Sequence, residues 1–144
     1  MATYVLGMNA GLYQGAAGST TPSSMSEVDN VRDVTLSMEA GEADITTRGN
    51  SGWRATAPTL RECTVEFQMV WKPGDTVFEA IKTAFLTAGT VALAVLDQKV
   101  GITGAQGPLG DFSITNFSRN EALEEAIVAD VTAKLAVFVE WHEV

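Results

Sequence analysis

The sequence has few of the residues on which metal and catalytic sites depend. Its 144 residues include one cysteine, Cys63, and one histidine, His142. A single cysteine excludes an intramolecular disulfide, and a single histidine excludes a multi-histidine metal site. It also leaves little basis for a Ser-His-Asp or Cys-His catalytic arrangement. We therefore expect a protein without enzymatic activity, metal or cofactor.

Basic residues and long apolar runs are also scarce. Nine Lys and Arg residues stand against 18 Asp and Glu residues, which gives a net charge of -9. A chain this acidic has no electrostatic reason to bind nucleic acid or an anionic membrane. No stretch approaches the roughly 18 apolar residues of a transmembrane helix, and the first nine residues do not resemble a signal peptide. We expect synthesis in a reducing cytoplasm.

The remaining composition predicts one folded domain over residues 1–144. Hydrophobic residues make up 46% of the chain, enough for a core. Period-two alternation or β-rich apolar composition predicts strands. They cover Thr3–Met8, Val31–Glu39, Asp44–Arg48, Leu60–Trp71, Thr90–Leu96, Asp111–Phe117 and Ile127–Val139. Ala40–Ala43 is expected to break one strand, and Gly101–Gly110 to form a loop. Gly11–Ser26, within a region of about 9–30, is predicted to be a loop or arm.

One segment has the pattern of an amphipathic helix, over about residues 75–88. Asp75 is a good N-cap, Gly89 is a natural stop, and Val77, Phe78 and Ile81 share one face. The predicted fold is therefore mostly β, an antiparallel β-sandwich or partly closed barrel with one packed α-helix.

No group of residues supports catalysis. Cys63 lies on the apolar side of its strand and is interpreted as a buried structural thiol. His142 is interpreted as an exposed side chain near the chain end. Glu124 and Glu125 are adjacent, so on a strand they would point to opposite faces. The acidic residues in and beside the strands either maintain solubility or line a surface past which DNA slides.

The central part of the chain carries a family resemblance. It begins with the block Asp44–Arg54, continues through Pro58-Thr59-Leu60 and Trp71–Asp75, and includes Leu123–Ala126 further on. In order and spacing these segments resemble the major tail tube proteins of long-tailed bacteriophages with non-contractile tails. The resemblance covers about three fifths of the chain, from Asp44 to Thr132.

The resemblance implies a structural virion protein of the phage tail. Such proteins form hexameric rings that stack into a tube, whose acidic inner β-barrel conducts the genome without binding it. Other tail proteins, such as the tape measure, terminator and distal tail proteins, are expected partners beside further copies of the chain. The expected lumen-facing acidic residues are Glu39, Glu42, Asp44, Glu66 and Asp130. The expected contacts between subunits or rings are Arg48, Gly49, Asn50, Ser51, Gly52, Trp53 and Arg54.

Two other classes remain open at this stage. One is a different self-assembling component, such as a capsid decoration protein or the inner tube protein of a contractile secretion machine. The other is a monomeric ligand-binding β-barrel, for which a monodisperse species and a closed apolar cavity are expected.

Overall fold

Seven antiparallel strands and one helix form the chain in a computed structural model that describes residues 4–144. Short 3-10 turns cover Gly7–Asn9, Pro22–Ser24 and Arg48–Asn50. The helix is α1 (Thr76–Leu86). The strands are β1 (Gly11–Ala16), β2 (Ser26–Glu27), β3 (Val31–Asp44), β4 (Thr56–Val70), β5 (Thr90–Leu96), β6 (Gln106–Asn120) and β7 (Val128–Glu143).

All seven strands belong to one sheet, in the order β2-β1-β5-β6-β7-β4-β3. Its two outermost strands, β2 and β3, are joined by residues 28–30 alone but are not paired with each other within the described residues. The sheet is therefore open. The predicted class, mostly antiparallel β with one packed helix, is confirmed, and the strands form one continuous sheet instead of the two sheets of a sandwich.

The core lies on one face of this sheet, beneath α1. Every second residue of β4 from Cys63 to Met69 is buried, and the facing residues of β7, Ala129 to Ala133, alternate in the same way. The apolar side of α1 packs on this layer and contacts β5 and β6. The helix contributes Val77, Phe78, Ile81 and Ala84 to the core.

Hydrogen bonds to neighbouring residues define both ends of α1. The backbone N–H of Phe78 donates to Asp75 Oδ2 at 3.2 Å, which confirms the predicted N-cap. Hydrogen bonds from Lys82 and the Gly74 N–H hold the pKa of Glu79 below its ordinary value. At the other end the Gly89 N–H donates to Ala84 O at 2.9 Å, while Ala88 has a positive φ of 56°.

Gly11–Ala16 corrects the predicted loop or arm. These residues form β1, which pairs along its whole length with β5, and Leu12 and Tyr13 are buried. The segment shows no alternation because the sheet is covered on both faces here, since Ala92 and Leu93 of β5 are both fully buried.

Other segments also differ from the sequence prediction, among them Asp44–Arg48, of which only Asp44 belongs to a strand. Ala40–Ala43 does not end β3, because a β-bulge between Ala40 and Glu42 absorbs the irregularity and the strand continues to Asp44. The Gly101–Gly110 loop ends at Ala105, where β6 begins. Tyr4–Met8 does not form a strand, and Thr3 lies outside the described residues.

Between residues 4 and 144, no helix has both the length and the apolar character needed to cross a bilayer.

Candidate functional site

The sheet face opposite the core is polar across four neighbouring strands, β3, β4, β7 and β6. Cross-strand pairing places Ser37 beside Thr64, and Glu66 between Thr35 and Thr132. The face continues onto β6 with Asn116 and Ser118. These side chains are exposed or half-buried. We call this surface the polar face: Thr35, Ser37, Glu39, Glu62, Thr64, Glu66, Gln68, Asn116, Ser118, Asp130, Thr132 and Lys134.

Three of the predicted acidic residues come together on the polar face: Glu39, Glu66 and Asp130. Glu62, which the sequence analysis did not select, lies directly opposite Glu39. Like charges directly opposite each other destabilise a sheet, so this pair does not stabilise the folded subunit. Lys134 is the one basic residue among these cross-strand partners, which leaves the polar face with a surplus of negative charge.

Glu42 and Asp44 lie beyond the β-bulge in β3. The extra residue of this bulge belongs to β4, so β3 keeps its alternation, and the two side chains have the parity of Ala40 instead of Glu39. Hydrogen bonds from the Thr46 side chain and backbone N–H lower the pKa of Asp44. The fold thus brings three of the five predicted carboxylates onto one face and separates these two from them.

The hairpin formed by the outer parts of β3 and β4 separates from the rest of the sheet. Pairing between β4 and β7 stops at Thr64 and Lys134, and none of residues 39–62 is buried. Isolated two-stranded hairpins are at best marginally stable in water. A hairpin of this length without a buried side chain therefore gains little stability from the core of its own chain.

The hairpin turn is ordered by its own hydrogen bonds. The Trp53 N–H donates to Asn50 O at 3.0 Å, and the Ala55 N–H donates to Thr46 Oγ1 at 2.8 Å. Ser51 and Gly52 have positive φ angles of 53° and 87°. The Trp53 side chain is 78% exposed, so it does not pack against the core of its own chain.

The residues considered for chemistry are dispersed. Cys63 is a buried free thiol, and burial raises its pKa, which keeps it protonated and unreactive. His142 Nδ1 lies 3.2 Å from Glu140 Oε1 near the end of β7. Glu124 and Glu125 lie in the exposed turn between β6 and β7. No group of three or more potential metal ligands occurs among residues 4–144.

Three solved structures that share this fold belong to a gene transfer agent and to the SPP1 tail tube. The chain of an empty gene transfer agent tail, refined with helical C6 symmetry, aligns with a TM-score of 0.75 at 18% identity, covering 98% of this chain and 99% of that one. A chain of the native gene transfer agent virion gives a TM-score of 0.68 at 17% identity, over 95% and 100% of the two chains. The SPP1 tail tube, determined by solid-state NMR and cryo-EM, gives 0.74 at 16% identity, over 98% and 81%.

Sequence comparison identifies the family. No curated protein sequence matches the chain. The sequence profile described as phage tail tube protein, in contrast, matches residues 14–138, most of the length. The resemblance found in the sequence is thereby confirmed, and so is a structural role in the tail of a virion. The chain belongs to the phage tail tube protein family.

Proposed function

We propose that six copies of this chain close into a ring, that the rings stack into the tail tube, and that the polar face lines its channel. The observation that carries this proposal is that strands β3, β4, β7 and β6 have two unlike faces. One face is covered by α1 and the core, and the other is solvated and rich in carboxylates and hydroxyls. The symmetry is taken from the related gene transfer agent tail, which was refined with C6 symmetry.

An acidic lining suits a channel for DNA. DNA is densely negative, so a wall with basic groups would hold it by displacing its counterions. Glu39, Glu62, Glu66 and Asp130 instead repel the duplex within a screening length of about 8 Å at physiological salt. In this arrangement α1 lies on the outer side of the tube, because it covers the opposite face of the sheet.

Strand edges on both sides of the polar face provide the contacts for ring closure. β3 is an outermost strand of 14 residues. On the other side, pairing of β6 with β5 ends at Ser113, so the rest of β6 has no partner on that side within residues 4–144. Unpaired edges of this length favour pairing with another chain, and closure of a ring removes them.

The hairpin of residues 39–62 supplies contacts between rings. Its tip holds the residues selected from the sequence, Arg48 to Arg54, with Trp53 as the large exposed side chain. Aromatic and arginine side chains are enriched among residues that dominate binding energy. The remaining proposed partners, the tape measure, terminator and distal tail proteins, follow from the family resemblance.

Electron cryomicroscopy of concentrated purified protein tests the assembly. We expect tubes with six subunits per ring, the polar face inward and α1 outward. Monomers at every concentration, or a channel lined by the α1 side of the sheet, would overturn the proposal.

A pair of matched variants tests the lining. Glu66→Lys lies on the polar face and Glu79→Lys on the outer surface of α1, and both change the net charge equally. We expect virions carrying Glu66→Lys to assemble tails but to release DNA several-fold more slowly, because lysine attracts the passing phosphates. Virions carrying Glu79→Lys should release DNA at the normal rate. Equal release from both variants would contradict the assigned lining.

A further inference from the structure

Two oppositely charged surfaces lie in loops outside the core. We define the basic tip as residues 45–55, the end of the β3–β4 hairpin. We define the acidic turn as residues 121–127, which connect β6 to β7. Both surfaces combine charge with a large exposed apolar side chain.

The basic tip is the exception in an acidic chain. It contains Arg48 and Arg54 and no Asp or Glu, although the whole chain has a net charge of -9. Neither arginine forms an ion pair with any residue between 4 and 144. Trp53, beside Arg54, is 78% exposed. The tip thus offers two uncompensated cations around an aromatic side chain.

The acidic turn has the complementary composition. It contains Glu121, Glu124 and Glu125 and no basic residue, and Leu123 among them is fully exposed. The nearby cation Arg119 pairs with Glu121 at 3.5 Å. Glu124 and Glu125 have no ion-pair partner in the described part of the chain.

Strand register places these surfaces at opposite ends of the subunit. The basic tip precedes Thr56, the first residue of β4. At the other end of β4, Val70 pairs with Val128 of β7, and Val128 pairs with Asn120 of β6. The acidic turn joins Asn120 to Val128, so the length of β4, 15 residues or about 46 Å, separates it from the tip.

We propose that the basic tip of one copy docks on the acidic turn of a second copy in the adjacent ring. This inference rests on the proposed stacking of rings and names the surfaces that meet. Opposite ends of one chain can join only in a head-to-tail contact, the arrangement that builds open stacks. Arg48 and Arg54 compensate Glu124 and Glu125, and Trp53 covers Leu123.

The contact is expected to set the orientation and register of adjacent rings as well as their affinity for each other. Opposite charges steer the two surfaces together, whereas tip-to-tip or turn-to-turn approach places like charges against each other. Because these charges lie at an accessible rim, salt weakens their attraction.

An exchange of charges tests the pairing. Arg54→Glu and Glu124→Lys change exposed side chains, and each single variant is expected to raise the protein concentration needed for tube formation about tenfold. The double variant restores the wild-type net charge of -9 and should return that concentration toward the wild-type value. Lys82→Glu, on the outer surface of α1, carries the same charge change as Arg54→Glu and should leave tube formation unchanged.

The outcomes separate this inference from the proposed function. If the wild-type chain forms tubes and both single variants form them equally well, the pairing is wrong and the tube proposal stands. If the single variants fail and the double variant also fails, the two residues do not face each other, and the pairing is again wrong. Absence of tubes from the wild-type chain contradicts the tube proposal itself.

Crosslinking provides a direct measure of proximity. Cysteines introduced together by Trp53→Cys and Leu123→Cys should form disulfides between rings under oxidation and give a ladder of linked chains on a non-reducing gel. Each single variant should give dimers at most, since Cys63 is 3% exposed. A ladder absent from tubes of the double variant would overturn the pairing.

Discussion

At the scale of single residues, Ala88 is poorly suited to its backbone conformation. It has a φ of 56° immediately after α1, in the left-handed region where a Cβ atom approaches the following carbonyl oxygen. Glycine is the usual residue at such a helix end, yet here the glycine comes one position later, at Gly89. The subunit therefore stores a small local strain.

Ala88→Gly should relieve that strain. The left-handed conformation costs alanine about 1–2 kcal/mol, and the greater freedom of glycine in the unfolded chain cancels part of the gain. We expect the free energy of unfolding to rise by about 0.5–1 kcal/mol, measured by urea denaturation of the unassembled subunit. The control is Ala80→Gly inside α1, which should lower it by about 1 kcal/mol. A loss of stability in Ala88→Gly would contradict the argument.

At the scale of elements, α1 depends on its first turn. The Asp75 carboxylate accepts the hydrogen bond from Phe78 N–H and also lies 3.8 Å from Lys72 Nζ. The cap fixes the start of the helix, and the side chains of Phe78 and Ile81 then enter the core in register.

Asp75→Ala should destabilise the subunit by about 1 kcal/mol because an N–H of the first turn loses its acceptor. Asp75→Ser keeps a capping oxygen and removes the charge, so it should retain most of the stability. Thermal or urea denaturation of both variants measures the difference. An equal loss in the two variants would assign the effect to the ion pair with Lys72 instead of the cap.

Burial of one face or of both faces explains which strands could be predicted from the sequence. β4 and β7 have one buried and one solvated face, so their alternation identified them. β1 and the start of β6 lie where β5 is covered on both sides, and their glycines suggested a loop. Gly107 is instead required by packing, since a Cβ atom there would lie 1.6 Å from Val95 O.

The residues of the candidate site likewise include some that the sequence could place and some that it could not. Glu66 and Asp130 could be placed on one face by alternation alone, and Glu62 shares that parity two residues beyond Thr64, so extending the pattern along β4 would have found it. Alternation along β3 also puts Glu42 and Asp44 on the side opposite Glu39, but the composition of Ala40–Ala43 indicates a break and hides the continuity of the strand. That continuity comes from pairing with β4 across a β-bulge, which no local pattern in the sequence reveals.

At the scale of the whole molecule, the subunit keeps its core and its proposed assembly surfaces apart. Trp71 is half-buried, packs edge-on against Phe78 at 4.8 Å between ring centroids, and is covered by Arg119. Trp53, in contrast, touches none of the core and stands at the hairpin tip. The two tryptophans therefore allow folding and assembly to be disturbed separately.

Trp53→Ala should prevent or greatly weaken tube formation while the stability of the subunit changes by no more than about 0.5 kcal/mol, because the side chain is exposed. Trp71→Ala should lower the stability of the subunit by about 3 kcal/mol. Urea denaturation and electron microscopy of both variants provide the two readouts. A Trp53→Ala chain that is unfolded would show that the hairpin is part of the folding unit.

The placement of the basic tip and the acidic turn at opposite ends of β4 gives any stack of these subunits a direction. Every copy would point the same way, and the joint would not close on itself. One terminus of such a filament would end in unsatisfied arginines and tryptophans, and the other in unsatisfied glutamates and leucines. The chemistry that starts or stops growth would then differ between the two termini. A protein that binds the arginine terminus needs an acidic surface, and a protein that binds the glutamate terminus needs a basic one. The joint itself sets no length, because nothing in a repeating contact counts its copies, so the length must come from a component other than this subunit.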